Sequence, residues 1–189
     1  MAGAFGAPIL INSGLGEGSL RAYADSQDIP VITCEGGEAL RFDDVVIGSG
    51  VKGVIRVMRE LEMIPAKKGP KAPRKRSETA ANSQWVRADI DGIMRPVARL
   101  GQKVRKGQRL AMVADPFGES ETAVVSPCSG IVICVNNLPL VNEGEAIYHV
   151  ARFDELSEAE KAMDYFRSSY EGDVGDDVVP VHPWDDRQK

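Results

Sequence analysis

Residues 91–115, DGIMRPVARLGQKVRKGQRLAMVAD, are followed by a second copy of the same pattern at residues 129–152, SGIVICVNNLPLVNEGEAIYHVAR. Aligned with a single-residue gap, the two copies share glycines and apolar residues at matching positions: Gly92 with Gly130, Ile93 with Ile131, Val97 with Val135, Leu100 with Leu138 and Gly107 with Gly144. Each copy reads as strand, turn, strand, with a glycine where the turn tolerates a positive φ. The repeat predicts two halves that close on each other over residues 85–152, as a small β-barrel or flattened sandwich with quasi-twofold symmetry.

The two halves are similar to biotinyl/lipoyl-type domains in their turn glycines and their period. Those carrier domains present a modifiable lysine on the exposed hairpin between the halves. The connecting segment here, DPFGESETAVVSP at 115–127, contains no lysine. We therefore expect a lid or a spacer beside another domain, and not a carrier.

Residues 1–64 carry alternating strand and helix signals. Strands are predicted at 7–11 and 30–34, and the second has no polar alternation, which is typical of a strand buried on both faces. A helix capped by Ser19 lies between them, and a second helix follows a cap at Asp43 or Asp44. The second helix has one apolar stripe that we expect to be buried: Ile47, Val51, Val54, Ile55, Met58 and Leu61. The pattern predicts a right-handed βαβ unit in an α/β sheet that is incomplete, since such sheets normally contain more strands.

A basic, proline-rich segment, PAKKGPKAPRKRSETAANSQ at 65–84, separates the two regions. It indicates either a nucleic-acid or phosphate patch or a solvated spacer, and the formal net charge of −5 together with the lack of interleaved aromatics favours the spacer. We expect neither nucleic acid nor membrane as a partner. The acidic tail, 153–189, predicts one helix with a capping box formed by Ser157 and Glu160, and no chemistry.

Composition fits a soluble globular protein, with 43% apolar and 27% charged residues among 189. The three cysteines form no CxxC pair and sit in apolar runs, which predicts buried thiols and a cytoplasmic protein. No apolar run is long enough to span a membrane, and the N-terminus lacks the basic region of a signal peptide. Exposed apolar edges of an incomplete sheet predict a homo-oligomer.

The stretch IPVITCEGGEAL at 29–40 places a carboxylate, Glu35, at the end of the second predicted strand. Ligands of open α/β sheets bind beyond the carboxyl ends of the strands, so Glu35 is a candidate general acid/base that takes a proton from water and passes it to a leaving amine. The alternative is a strand-end residue that caps a loop or pairs with Arg21 or Arg41.

The stretch GSLRAYADSQDIPVITCEGGE at 18–38, followed by the helix GVKGVIRVMRELEMI at 50–64 and the repeated β module, resembles the C-terminal part of the succinylglutamate desuccinylase/aspartoacylase family. The resemblance covers residues 1–151. It implies an incomplete metallocarboxypeptidase-like α/β sheet followed by a small all-β barrel or sandwich of biotinyl/lipoyl-like type. It also implies a zinc-dependent amide hydrolase acting on small N-acyl amino acids, with Glu35 as general base and acid and Arg21 contacting the substrate carboxylate.

The zinc ligands of that family are a His-x-x-Glu pair and a second histidine, all upstream of the matching segment. Neither His149 nor His182 begins a His-x-x-Glu, and the two share no local cluster, so both are expected to be structural or surface residues. A hydrolytic zinc site needs three protein ligands. Zn²⁺ is therefore implied by the resemblance while its ligands are missing, and we expect the isolated chain to be inactive. The alternative function is a non-catalytic binding or assembly module.

Overall fold

The computed structural model describes residues 1–66 and 77–171. Within these ranges the chain forms two compact units, one built from residues 1–8, 15–66 and 164–171, the other from residues 9–14 and 77–163. The described helices are α1 (Ala2–Phe5), α2 (Leu20–Ser26), α3 (Asp44–Glu60) and α4 (Leu156–Glu171). The described strands are β1 (Ile9–Ile11), β2 (Glu78–Ala80), β3 (Asn82–Arg87), β4 (Gly92–Pro96), β5 (Lys103–Val104), β6 (Arg109–Ala114), β7 (Glu121–Val125), β8 (Gly130–Val135), β9 (Leu140–Val141) and β10 (Ala146–Arg152).

The second unit contains two antiparallel four-stranded sheets, in the orders β3-β10-β8-β5 and β7-β6-β4-β9. Both sheets contribute side chains to one buried apolar core, whose fully buried members include Val104, Leu110, Val113, Val132, Ile147 and Val150. The two sheets stay separate, so the described residues form a flattened sandwich and no closed barrel. The barrel form of the prediction is therefore wrong for this part of the chain.

The internal repeat corresponds to β4 to β6 in one half and β8 to β10 in the other. In each half the first and third strands pair with each other, β4 with β6 and β8 with β10. The short middle strand crosses to the other half, so that β5 pairs with β8 and β9 pairs with β4. Each sheet is thus completed by a strand from the opposite half.

The turns before β6 and β10 have the same hydrogen bonds at equivalent positions. Their glycines, Gly107 and Gly144, have φ values of 79° and 80°, in the left-handed region that glycine adopts without strain. In each turn, three backbone N–H groups donate hydrogen bonds to acceptors at equivalent positions. In the turn before β6, Arg105 donates to the side-chain oxygen of Gln108, Lys106 to the hydroxyl of Ser129 and Gly107 to the carbonyl of Ser126. In the turn before β10, Asn142 donates to the carboxylate of Glu145, Glu143 to the carboxylate of Asp91 and Gly144 to the carbonyl of Ala88. The symmetry therefore extends from the strands to individual donors and acceptors.

Gly92 and Gly130 open the first strand of each half at a point of close backbone approach. A Cβ atom on Gly92 would collide with the carbonyl oxygen of Ala114, and one on Gly130 would collide with that of Ala151. The two alanines are equivalent in the repeat. The aligned glycines are thus required by the same crowding in both halves.

The predicted βαβ unit is not formed by the described residues. Strand β1 is shorter than the predicted 7–11 and pairs in parallel with β2, inside the segment predicted to be a linker. Residues 30–34 have no strand structure, and Ile29, Val31 and Ile32 are exposed. No described strand pairs with this stretch, and the prediction of a strand buried on both faces is wrong here.

The first unit contains the two predicted helices with the predicted caps. The Ser19 hydroxyl accepts a hydrogen bond from the Ala22 N–H at 3.1 Å, and the Asp43 carboxylate accepts one from the Val46 N–H at 3.0 Å. The apolar stripe of α3, however, is largely exposed and not buried. The buried point of α3 is Gly53.

Two expectations about the linker and the tail change. Residues 77–84 of the predicted spacer lie largely in β2 and β3, while 67–76, with its Lys/Arg cluster, falls outside the described residues. Helix α4 begins at Leu156, so Ser157 lies inside the helix and the predicted capping box is wrong. The Glu160 carboxylate instead forms an ion pair with Lys103 at 2.8 Å. Residues 172–189, including His182, are also outside the described residues.

Within the two described ranges, no helix has both the length and the apolar composition that crossing a membrane requires.

Candidate functional site

Glu35 lies in the irregular segment between α2 and α3, and its side chain is exposed. The two glycines that follow fix the path of this segment. A Cβ on Gly36 would lie 3.1 Å from a methyl carbon of Val46 in the first turn of α3, and Gly37 has a φ of 82°. The glycine pair therefore lets the chain turn close against the start of α3, with Glu35 immediately before the turn.

One of the two arginines expected to pair with Glu35 forms an ion pair with a different carboxylate. Arg41, one of its two proposed partners, lies with its Nε 3.4 Å from a carboxylate oxygen of Glu38. Both side chains are substantially exposed, so this ion pair contributes little to stability. Arg21, the other proposed partner and the residue matched to a substrate contact, is half-buried in the first turn of α2. The roles assigned to Glu35 and Arg21 stay predictions.

The described residues do not supply a zinc site. No group of three histidine, cysteine, aspartate or glutamate side chains in the two described ranges is arranged to hold a metal ion. The ring of His149, on β10, stacks on the ring of Trp85, its cross-strand partner on β3, with centroids 4.1 Å apart and planes 12° apart. His149 therefore has a packing role.

The cysteines differ in environment. Cys34, directly before Glu35, is exposed, which corrects the expectation that it is buried. Cys128 is buried in the sandwich, and burial raises the pKa of its thiol. Cys134 lies on β8 and is partly buried. Their separate locations agree with the absence of a metal-holding group among the described residues.

The connecting segment between the two halves has an ordered tip that the sequence analysis did not single out. The Asp115 carboxylate accepts hydrogen bonds from the Phe117 N–H at 2.8 Å, from the Ser120 hydroxyl at 2.9 Å and from the Ser120 N–H. These bonds, that from the Ser120 N–H above all, lower the pKa of Asp115 to about 2. The sequence does indicate this turn, since an Asp followed by Pro and a nearby Gly is typical of turns.

No family model matches the sequence, and no curated protein matches it. Solved structures do match the fold. A succinylglutamate desuccinylase/aspartoacylase from Rhodobacter sphaeroides superposes with a TM-score of 0.68 at 18% identity, over 80% of this chain and 47% of its own. The chain has the succinylglutamate desuccinylase/aspartoacylase fold.

Two further structures support this fold. The product-bound ectoine utilization protein EutE (DoeB) from Ruegeria pomeroyi has a TM-score of 0.68 at 20% identity, over 79% of this chain and 46% of its own. An aspartoacylase family protein from Mesorhizobium loti has a TM-score of 0.61 at 15% identity, over 80% of this chain and 52% of its own. The chain thus spans about half the length of the desuccinylase/aspartoacylase structures it matches.

Proposed function

We propose that this chain is the C-terminal portion of a zinc-dependent amide hydrolase that removes the acyl group from small N-acylated amino acids. The observation that carries the proposal is the superposition of about four-fifths of the chain on desuccinylase/aspartoacylase structures. The β sandwich, of biotinyl/lipoyl-like type but without a carrier lysine, would serve as a lid or spacer. Neither nucleic acid nor a membrane is part of this proposal.

In this function Glu35 is the general base and acid. Its carboxylate takes a proton from the attacking water and then gives that proton to the departing amine, so one side chain serves both steps. Its exposure leaves the side chain open to a substrate and to water. Arg21 would bind the carboxylate of the amino-acid substrate through its guanidinium, which suits a planar, bidentate partner.

The residues described here do not fit a zinc ion. A hydrolytic zinc site needs three protein ligands and an open position, and no such group exists in the two described ranges. The proposal therefore places the ligands outside the described residues. Because neither His149 nor His182 begins a His-x-x-Glu, it also expects the 189-residue chain by itself neither to hold stoichiometric zinc nor to turn over.

The test measures zinc content and hydrolysis of N-acetyl and N-succinyl amino acids for the chain alone and for the chain co-expressed with the polypeptide encoded directly upstream in its genome. The chain alone should be inactive, and the co-expressed pair should bind zinc and hydrolyse the amide. In the active pair, Glu35→Gln should lower kcat by about 10²- to 10⁴-fold, the usual contribution of acid/base catalysis.

Glu38→Gln is the matched control, because it removes a neighbouring carboxylate that is engaged with Arg41. It should leave kcat within about threefold of the parent, since surface ion pairs contribute little. Stoichiometric zinc and turnover by the isolated chain would contradict the proposal, and so would equal activity of the Glu35→Gln and parent pairs.

The alternative is a non-catalytic binding or assembly module that uses the sandwich. The observation that favours it is the lack of a metal-holding group around Glu35 among the described residues. Under this alternative the co-expressed pair binds no zinc and is inactive.

A further inference from the structure

Strand β8 contains a β-bulge that its counterpart in the other half of the repeat does not share. In the pairing of β8 with β10, His149 faces Cys134 while the next residue, Val150, faces Val132, so Ile133 is the extra residue. The equivalent pair, β4 with β6, keeps one register throughout. The repeated fold therefore does not require this bulge, and bulges often serve to re-aim a side chain.

The bulge turns the thiol of Cys134 away from the core of the sandwich. Val132 is fully buried in that core, and Val135 packs against it. Side chains alternate between the two faces of a strand, so without the extra residue Cys134 would lie on the same side as Val132. With the bulge, Val135 points to the core and Cys134 points to the outer face of the sheet, where it is only partly buried.

On this outer face, an imidazole is the cross-strand neighbour of the thiol. His149 lies between Tyr148 and Val150, which are both fully buried, so its side chain also points away from the core. Residues directly opposite each other in an antiparallel pair have Cβ atoms about 4.5–5.5 Å apart. The partner of His149 on the other side is Trp85, whose ring stacks on the imidazole with centroids 4.1 Å apart. Three neighbouring strands therefore carry a thiol, an imidazole and an indole in one row.

This row suits the activation of a cysteine. The thiolate is the reactive form of a thiol, and a neighbouring imidazole promotes it by accepting the proton. The stack restricts the orientation of the His149 ring, and the face of an indole attracts the positive charge that the imidazole then carries. The other cysteines have different surroundings, since Cys128 is buried and Cys34 lies in an irregular segment outside the sheets.

We propose that Cys134 is a redox-sensitive thiol that forms a mixed disulfide with small disulfides, with His149 as its proton acceptor. The thiol proton passes to the imidazole, and the sulfur attacks one sulfur of the small disulfide. The S–S bond of that disulfide breaks, and the released thiolate takes the proton from the imidazolium. The protein thiol is oxidised and the small disulfide is reduced, so the exchange is balanced. This role of Cys134 does not depend on the proposed hydrolase function, because it uses none of the residues assigned to catalysis.

Reaction of the 189-residue chain with oxidised glutathione at pH 7 tests the role of Cys134, with the modification of each thiol followed by peptide mass spectrometry. Exposure alone predicts that Cys34 reacts faster, because it is exposed and Cys134 is partly buried. We expect the opposite order, with a rate constant at Cys134 about tenfold higher. A free thiol is only a few per cent thiolate at pH 7, and an imidazole that takes the proton raises that fraction.

His149→Phe removes the proton acceptor while an aromatic ring can still stack on Trp85. It should lower the rate constant at Cys134 by about tenfold, to that of an unassisted thiol, and leave the rate constant at Cys34 unchanged. Buried Cys128 reports on folding in the same sample, because its thiol is protected only while the sandwich is folded.

Trp85 is a positioning residue in this scheme, since it acts through the ring of His149. Trp85→Ala should lower the rate constant at Cys134, and Trp85→Phe should restore most of it because phenylalanine can also stack on the imidazole. A purely structural role would not link the two variants to the reactivity of one thiol.

Equal or faster reaction of Cys34 in the parent chain overturns the proposal, and this comparison needs no variant. A rate constant at Cys134 that His149→Phe leaves unchanged, with Cys128 still protected, overturns it as well. If His149→Phe exposes Cys128, the parent chain and the two Trp85 variants decide, and equal rate constants at Cys134 in Trp85→Ala and Trp85→Phe count against the stack.

Discussion

Tyr148 links the two sheets of the sandwich through a single hydroxyl group. It lies on β10 and is fully buried, and its O–H lies 2.8 Å from the carbonyl oxygen of Leu110 on β6 and 3.0 Å from that of Ala98. These carbonyls belong to the part of the chain around the opposite sheet, so the bond crosses the core. Removing the hydroxyl takes this donor away from the buried Ala98 carbonyl, whereas the Leu110 carbonyl keeps the Val97 and Ala98 N–H groups as donors.

Tyr148→Phe should therefore lower the free energy of unfolding by about 1–3 kcal/mol, the cost of leaving a buried polar group unsatisfied. Urea denaturation measures the change. Tyr23→Phe, at an exposed position of α2, is the control and should be close to neutral. Equal stability of the Tyr148→Phe variant and the parent would show that the hydroxyl does not hold the sheets together.

The same residue makes stability sensitive to alkali. Burial raises the pKa of Tyr148 to about 12 from its ordinary value of 10, because the core disfavours the charged phenolate. Its contribution is complete below pH 10 and is lost as the pH rises through 12. The stability difference between the parent and Tyr148→Phe should shrink over that interval.

The hydrogen bonds of the Asp115 carboxylate make the structure at the tip of the connecting segment, 115–127, dependent on pH in acid. Its pKa of about 2 lies below the ordinary value, so its contribution is complete above about pH 4 and is lost as the pH falls through 2. The amide NMR signals of Phe117 and Ser120 should shift together with a midpoint near pH 2. In Asp115→Asn, which lacks the charged acceptor, those signals should no longer titrate, and a midpoint near pH 4 in the parent would contradict the assignment.

At the scale of elements, the two glycine pairs of the repeat should respond differently to alanine. Gly92→Ala and Gly130→Ala force a Cβ against a backbone carbonyl and should each cost about 2–3 kcal/mol, as overpacking does. A Cβ on Gly107 or Gly144 meets no atom of the described residues within 4 Å, so Gly107→Ala and Gly144→Ala should each cost about 1–2 kcal/mol, the penalty of the left-handed conformation. Thermal unfolding gives the ranking, and a reversed order would contradict the close approach.

The sequence correctly predicted the elements that depend on residues close to one another along the chain. Ser19 and Asp43 cap their helices because a cap depends only on the next three residues. The repeat could be recognised in the sequence because the same close approach of a backbone carbonyl requires glycine at both Gly92 and Gly130. The exchange of β5 and β9 between the halves was not visible, because two-residue strands carry no periodicity.

The expectations that failed were those that depend on distant neighbours. The apolar stretch around Val31 predicts a buried strand only if other strands pair with it, and no described strand does. The stripe of α3 predicts burial, but a helical pattern does not say what covers the helix. For the same reason the sequence singled out Glu35 as a candidate, but it did not predict which side chains lie around Glu35 in the folded chain.

For the whole molecule, the distribution of buried side chains predicts unequal local stability. The second unit holds the large apolar core, whereas few apolar side chains are buried among the described residues of the first unit: Phe5, Ala24 and Tyr170. Amide groups of α2 should therefore exchange with solvent far faster than those of β8 and β10. Hydrogen exchange followed by mass spectrometry measures this, and uniform protection of the two units would contradict it.

The exchanged strands of the sandwich also determine the order in which this protein can fold as it is made. Strand β4 pairs with β9, which leaves the ribosome only after β5, β6, β7 and β8. Until then one edge of β4 has N–H and C=O groups without hydrogen-bonding partners, and strands of other nascent chains can pair with this edge incorrectly. Pairings between such distant segments also form slowly. The need for a chaperone during synthesis should therefore be greatest in the interval between the release of β4 and the arrival of β9.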